Sequence, residues 1–328
     1  MRIAVLGCGS IGRRHLRNLA SLGERDLVAF DPSAEARAAA SRETAARYES
    51  SLDSVWEAQP EVVLVTSPPG MHVDLARAAV ERGCHLFVEK PLSNSDDGVE
   101  DLVAAAARQG VVTMVGCNMR FHPGPARVRS LLEQCSIGDI LSARIETGSY
   151  LPGWRPGTDY RRGYSASAAD GGGAILDCIH ELDLALWYCG PGVVVACATV
   201  PATSIGLDVE GAAEVLVRHD SGALSSVHLS FIQRDYHRGC SIVGSEGTIS
   251  WNFGTGLVRL YREADGWRSF EPPDGWELNR MFVDELEHFL SCVATGEQSS
   301  CPLEQGWSAL RLALAARQRA SASAMEMA

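Results

Sequence analysis

The pattern of apolar and polar positions changes character once along the chain, near residue 119. At the start, Ile3-Ala4-Val5-Leu6 is an unbroken apolar run entering Gly7-Cys8-Gly9-Ser10-Ile11-Gly12. Such a run suits a strand covered on both faces of a parallel sheet. Next, Ile11, His15/Leu16, Leu19 and Leu22 recur at helical spacing, one apolar face. The alternation continues with a strand over 27–30, a helix over 34–42, a short segment at Tyr48 and a brief helix over 52–57. A strand over 61–66, a helix over 71–82 closed by Gly83, a strand over 85–88, a helix over 96–109 and a strand over 111–116 follow. Strands alternating with helices of this length predict βαβ units and a doubly wound parallel sheet, the Rossmann arrangement, over residues 1–119.

Residues 120–328 read differently. A helix over 124–134 leads to a long strand over 139–150, then to a loop rich in Gly, Pro, Tyr and Arg over 151–173. One continuous helix is expected over 174–189. Strands are expected over 193–200, 212–219, 223–232, 239–243, 247–252 and 257–262, with Gly222 and Gly247 at hairpin turns. Runs of strands without alternation point to an α+β domain with an open, mostly antiparallel sheet. A last helix is expected over 303–319, and the small, polar residues 321–328 read as a frayed tail.

Composition narrows the classes. With 46% hydrophobic residues the chain has the material for a core in each of two domains. A net charge of −12 without a basic run argues against nucleic acid or an anionic membrane surface as partner. No apolar stretch reaches the roughly 20 residues of a membrane helix. The chain opens on a core strand, and its ten cysteines form no C-x-x-C pair. We therefore expect a cytoplasmic protein with reduced thiols, no metal site and no targeting segment.

The strand–glycine turn–helix at the start is the context in which G-x-G-x-x-G binds a dinucleotide. Gly7 makes the tight turn, Gly9 lets backbone approach a pyrophosphate, and Gly12 lets helix close on strand, with Ser10 and Ile11 at the helix start. An acid at the end of the second strand completes the fingerprint, and Asp31 stands there, 19 residues after Gly12. Its carboxylate accepts from the ribose hydroxyls and repels a 2′-phosphate. No Arg follows at Pro32 or Ser33, so NAD is expected over NADP. Ligands of such sheets sit beyond the carboxyl ends of the strands, which adds Ser67-Pro68-Pro69-Gly70 and Glu89-Lys90-Pro91 to the site. Lys90 directly follows a core strand, and an amine there suits acid/base work on a hydroxyl or carbonyl. Glu89 either orients Lys90 or contacts the cofactor. His72, at a helix start, joins the cofactor-binding set, with a structural role as the alternative.

Ser67-Pro68-Pro69-Gly70-Met71-His72, Gly83-Cys84-His85-Leu86-Phe87-Val88-Glu89-Lys90-Pro91-Leu92, Gly171-Gly172-Gly173-Ala174-Ile175-Leu176-Asp177 and Gly244-Ser245-Glu246-Gly247-Thr248 resemble the glucose-fructose oxidoreductase/inositol dehydrogenase/rhizopine catabolism (Gfo/Idh/MocA) family over essentially the whole chain. The resemblance implies a Rossmann domain paired with an α/β substrate domain, hydride transfer between a nicotinamide and a carbon of a sugar, nucleotide sugar or cyclitol, Lys90 as the catalytic lysine, and Ser67 and Pro68 along the nicotinamide half of the cofactor. It also implies a homodimer or homotetramer.

On a continuous helix Asp177 and His180 are neighbours on one side. They form either a proton-transfer unit for the substrate or a buried hydrogen bond that ties helix to sheet. Family members carry D-x-G-x-H; here His180 follows Asp177 by three and Glu181 takes the fourth place. The arrangement resembles a D-x-x-H-E-x-D branch associated with nucleotide-sugar or acidic-sugar pathways, and leaves both Lys90 and His180 as bases. Trp154, Arg155, Tyr160, Arg161, Arg162 and Tyr164 suit a sugar face and an anionic group; Tyr160, Arg161, Tyr164 and Arg120 are assigned to the substrate. Two alternatives accompany the dehydrogenase: elimination, epimerisation or glycoside cleavage with NAD regenerated each cycle, and a non-enzymatic sensor of NAD or sugar.

Overall fold

The computed structural model of the chain describes residues 1–154 and 157–326, so Arg155 lies outside the described residues. The chain divides into two compact units. The first is Met1–Asn118 with Asn279–Trp307, the second Met119–Leu278 with the chain from Ser308 on.

The first unit holds β1 (Ile3–Leu6), α1 (Ser10–Ser21), β2 (Leu27–Phe30), α2 (Ala34–Ser41), β3 (Arg47–Glu49), α3 (Leu52–Glu57), β4 (Val62–Val65), α4 (His72–Val80), β5 (His85–Val88), α5 (Val99–Gln109) and β6 (Thr113–Val115). The strands form one parallel sheet in the order β3-β2-β1-β4-β5-β6. That order is the dinucleotide-binding one, reversing direction at the β1/β4 neighbours. The apolar runs of β1 and β4 are wholly buried, as unalternated apolar strands require. The helix expected from residue 71 begins instead as a 3-10 turn, Pro69–Met71, because Pro68 and Pro69 cannot continue a ladder and preset a turn.

In the second unit, α6 (Pro123–Glu133) and β7 (Ile140–Tyr150) are followed by three short 3-10 turns. Then come α7 (Ala174–Asp177), α8 (His180–Cys189), β8 (Gly192–Pro201), β9 (Glu210–His219), β10 (Leu224–Ser230), β11 (Ile232–Gly244), β12 (Thr248–Asn252), β13 (Val258–Arg262) and β14 (Gly266–Phe270). The eight strands run β14-β13-β12-β11-β7-β10-β9-β8. Every neighbouring pair is antiparallel except β10 with β7. Helices α6, α7 and α8 pack on one face.

Four expectations are corrected. The helix over 174–189 is two helices, because Cys178 leaves helical geometry at φ −94, ψ 33. The strand at 239–243 starts earlier, at Ile232, with a register shift between Ile232 and His237. A whole helix was not predicted: α9 (Arg280–Thr295). It buries Met281, Phe282, Glu285, Leu286, Phe289 and Leu290 in the first unit, so residues 279–307 return to that unit and a split into 1–119 and 120–328 does not describe the structure. Finally, α10 (Leu303–Glu326) carries helix through most of the expected tail. Small alanine-rich residues have high helix propensity. Among the described residues no helix is long and apolar enough to cross a membrane.

Candidate active site

In the first unit the predicted residues gather at the carboxyl ends of β1, β2, β4 and β5. Gly7 has φ +113, and a Cβ there would lie 2.7 Å from the Thr66 carbonyl, so only glycine makes this turn. A Cβ at Gly12 would overlap the Gly7 carbonyl oxygen, whereas nothing lies within 4 Å of one at Gly9. Thr66 Oγ1 donates to Gly7 O at 2.7 Å and ties the turn to β4. Gly9 caps α1 without any side-chain hydrogen bond, which leaves the N–H groups and positive dipole end of α1 for an anion.

Asp31 is already oriented. Its Oδ2 accepts from Cys8 N–H and its Oδ1 from Ser33 N–H, both at 2.8 Å. The Cys8 thiol between the glycines is pushed up to about 12, by burial first and by Asp31 next, so it takes no part as a nucleophile at neutral pH. Arg37 lies nearby, but its Nη1 donates to the backbone carbonyls of Asp31 and Pro32, at 2.5 and 3.2 Å. A free space, an uncapped helix end and a preset carboxylate fit a dinucleotide with its adenosine ribose at Asp31.

Ser67 and Pro68 follow β4 and are partly exposed and exposed, respectively. His72 is 1% exposed, and both of its ring nitrogens face backbone carbonyls, which favours the structural role over contact with the cofactor. Its Nε2 lies 2.7 Å from Ser67 O and its Nδ1 2.9 Å from Pro91 O, so the ring joins the loop after β4 to the loop after β5. Burial pushes His72 below its ordinary value, and the two carbonyls oppose that. Glu89 is also buried. Its Oε1 accepts from His15 Nε2 at 2.7 Å and its Oε2 from Lys90 N–H at 3.1 Å. Lys90 itself is half-buried, and the Lys90–Pro91 peptide is cis.

In the second unit the glycine run positions the polar residues. Gly171 and Gly173 have φ +87 and +106, and a Cβ at Gly172 would overlap the Tyr164 carbonyl. This close approach lays the 164–167 turn beside α7, and Tyr164 Oη donates to Asp177 Oδ1 at 2.8 Å. Asp177 ends α7 and His180 begins α8; both are buried. Their relation is therefore set by the break at Cys178 rather than by a shared helix face.

Arg120 is not available to a substrate. It forms a two-point pair with Asp183, Nε–Oδ2 2.9 Å and Nη2–Oδ1 2.5 Å, with side chains 3% and 1% exposed. Neighbouring His122 accepts from Gly124 N–H and sits among Trp251, Phe253 and Trp276. Tyr160 Oη donates to Ile205 O at 2.8 Å, and exposed Arg161 pairs with Asp159. Arg162, rather than Arg161, joins Trp154, Thr158, Asp159 and Tyr160 around a cavity of about 350 Å³.

Sequence reasoning missed Arg238, which donates to Glu181 Oε1 at 2.6 Å. Burial works against its charge, but Glu181 and Tyr236 hold its proton more tightly than usual. No local signal marks a pair 57 residues apart. His15 carried one: a titratable group on an otherwise apolar helix face. Composition carries a further signal: among 29 Lys and Arg residues Lys90 is the single lysine.

Comparison with known proteins identifies the family of the chain. Residues 1–117 match the model of the GFO/IDH/MocA oxidoreductase family, NAD-binding Rossmann fold, and residues 126–250 match the GFO/IDH/MocA C-terminal domain. The chain is 29% identical to myo-inositol 2-dehydrogenase of Thermotoga maritima over 329 residues, 97% of this chain and 95% of the relative. It is 27% identical to D-xylose 1-dehydrogenase (NADP(+)) 2 of Haloferax volcanii over 95% of this chain and 94% of the relative. A structure of levoglucosan dehydrogenase in complex with NADH superposes with a TM-score of 0.88 at 22% identity, covering 98% of this chain and 97% of the other; that likeness speaks for the fold.

Proposed function

The chain belongs to the Gfo/Idh/MocA oxidoreductase family, and from that premise we propose that it transfers hydride between NAD and a hydroxyl- or keto-bearing carbon of a sugar, cyclitol or nucleotide sugar, with Lys90 as its proton-transfer group. The observation that carries the proposal is the solitary lysine. A guanidinium keeps its proton at any working pH, whereas an amine can release and retake one. This chain uses arginine for its 28 other Lys/Arg positions and keeps its one amine side chain after β5, at the edge where a dinucleotide binds.

Gly7, Gly9, Ser10, Ile11 and Gly12 would hold the pyrophosphate, Asp31 the adenosine ribose, and Ser67 and Pro68 the nicotinamide half. When bound, the nicotinamide supplies the hydride acceptor or donor. Lys90 takes the proton of the substrate hydroxyl, or returns one to the carbonyl in the reductive direction. His180 is the second proton-transfer group, with Asp177 and Tyr164 setting its polar surroundings. Preference for NAD over NADP rests on the Asp31 carboxylate, which repels a 2′-phosphate, and on Arg37 being directed at backbone carbonyls. A homodimer or homotetramer is what the family resemblance implies, to be measured by light scattering on a sizing column.

The deciding experiment releases any nucleotide by denaturation, then follows NADH absorbance with myo-inositol, D-xylose, levoglucosan and nucleotide sugars, neutral and anionic. Exchangeable NAD with net NADH on one substrate is expected. Tightly held NAD with product but no net NADH would assign the chain to internal redox cycling. Failure to bind either nucleotide would overturn the proposal.

A further inference from the structure

Glu89 has no part in the scheme above, yet it precedes Lys90 and is 6% exposed. Its carboxylate turns inward, accepting from His15 Nε2 at 2.7 Å and from Lys90 N–H at 3.1 Å. A Cβ at Gly116 would lie 3.2 Å from the Glu89 Cδ, so glycine leaves the room this carboxylate occupies. His15 is completely buried, edge-on to Phe87 at 5.3 Å and to Phe282 at 6.4 Å. The rings fix the imidazole, and through it the carboxylate. Replacing a buried pair of this kind by apolar side chains is often neutral or stabilising, so cohesion alone is a weak reason to keep one. A buried carboxylate–imidazole pair next to a reactive group is a candidate for function.

We infer that His15 and Glu89 are a positioning pair for Lys90: His15 anchors the Glu89 carboxylate, which holds the Lys90 backbone through its N–H and keeps a negative charge beside the lysine amine. The inference rests on Lys90 being the proton-transfer group. Burial by itself would raise the Glu89 carboxyl, but the His15 hydrogen bond and charge, with Lys90, hold it below its ordinary value. Other titratable groups within its field include Arg14 on α1 and His72 on α4, while α9 turns Phe282, Phe289 and, on the same buried face, the carboxyl of Glu285 toward the core.

The single lysine makes the test direct. Full-length protein grown with lysine carrying 13C at Cε has one labelled signal, whose titration needs no substrate. In Glu89→Gln, which keeps the shape and removes the charge, the Lys90 signal should titrate at lower pH than in the wild type. Turnover should fall about 10- to 100-fold, with NAD affinity within about twofold. In His15→Phe the carboxyl loses its donor while staying buried, so a second pH step absent from the wild type should appear in both signal and turnover. His15→Gln, whose amide can donate to Oε1, should abolish that step and restore most of the turnover. If the Lys90 titration is unmoved in both Glu89→Gln and His15→Phe and only the thermal midpoint changes, the pair is structural and the inference fails. Should His15→Phe not fold, Glu89→Gln decides alone. Wild-type turnover in Lys90→Ala would instead sink the assignment of Lys90, and the titration would still show whether the pair acts on the amine.

Discussion

The candidate sites of the two units are built differently. In the first, the groups proposed to meet the phosphates are backbone, the glycine turn and the N-terminus of α1, and backbone N–H groups of Cys8 and Ser33 orient the Asp31 carboxylate. In the second, side chains answer one another, Arg120 with Asp183, Arg238 with Glu181, Tyr164 with Asp177 and Arg317 with Glu210. A site made of backbone is written as a contiguous motif, because each residue sets its own φ/ψ and its immediate neighbours. A site made of paired side chains is written as residues 63, 57, 13 and 107 positions apart. Only the fold makes neighbours of them.

If this contrast holds, variants in the two units should fail differently. The largest effect is expected from Lys90→Ala, a loss of about 10²–10⁴ in turnover with NAD affinity, read by fluorescence titration, nearly unchanged. Retained turnover would remove the lysine from the chemistry. Next comes Arg120→Ala. Stranding Asp183 at 1% exposure should cost about 3–5 kcal/mol in stability, seen in denaturant unfolding. A selective rise in KM without a stability change would restore Arg120 to the substrate.

His122 supplies the third test. Its value is lowered to about 4 from 6.5, by burial first and by Arg238 next, and its Nδ1 must stay unprotonated to accept from Gly124 N–H. Between pH 6.5 and 4 the unfolded chain therefore binds the proton that the folded chain refuses, and stability falls as pH falls through this window. About 3 kcal/mol is at stake. His122→Phe should flatten that part of the stability–pH curve, and an unchanged curve would assign the slope elsewhere.

Asp31→Ala should weaken NAD binding and relax discrimination against NADP by about 10- to 100-fold, the worth of a charge-assisted hydrogen bond. An unaltered NAD/NADP ratio would refute its assignment to the ribose. The smallest effect is expected from Arg161→Ala: an exposed side chain paired with exposed Asp159 should leave KM for an anionic sugar within about twofold. Arg162→Ala, facing the cavity, should raise that KM by more. A reversed order would exchange their roles.

Much of the fold was legible because apolar period is a local property. The parallel sheet, its glycine turn and Asp31 followed from it, as did the change to a strand-rich second half. Even α9 carried its signal, with Met281, Phe282, Glu285, Leu286, Phe289 and Leu290 at helical spacing, though an acid in the stripe and isolation from other elements hid it. The break between α7 and α8 was not legible: Ala174 to Cys189 reads as one helix, and only the backbone at Cys178, at φ −94 and ψ 33, sets its first turn apart.

By itself, then, the sequence determined the Rossmann unit, the dinucleotide edge and the placing of its one lysine after a core strand, since strand period, glycine conformation and the chemistry of an amine are properties of consecutive residues. Tertiary structure alone decided which charged residues remain for a ligand. It withdrew Arg120 into Asp183, His72 into two carbonyls and Glu89 into His15, and turned Tyr164 to Asp177. The reason is desolvation: a buried charge or polar group must find a partner, and which partner lies within 3 Å depends on the whole fold.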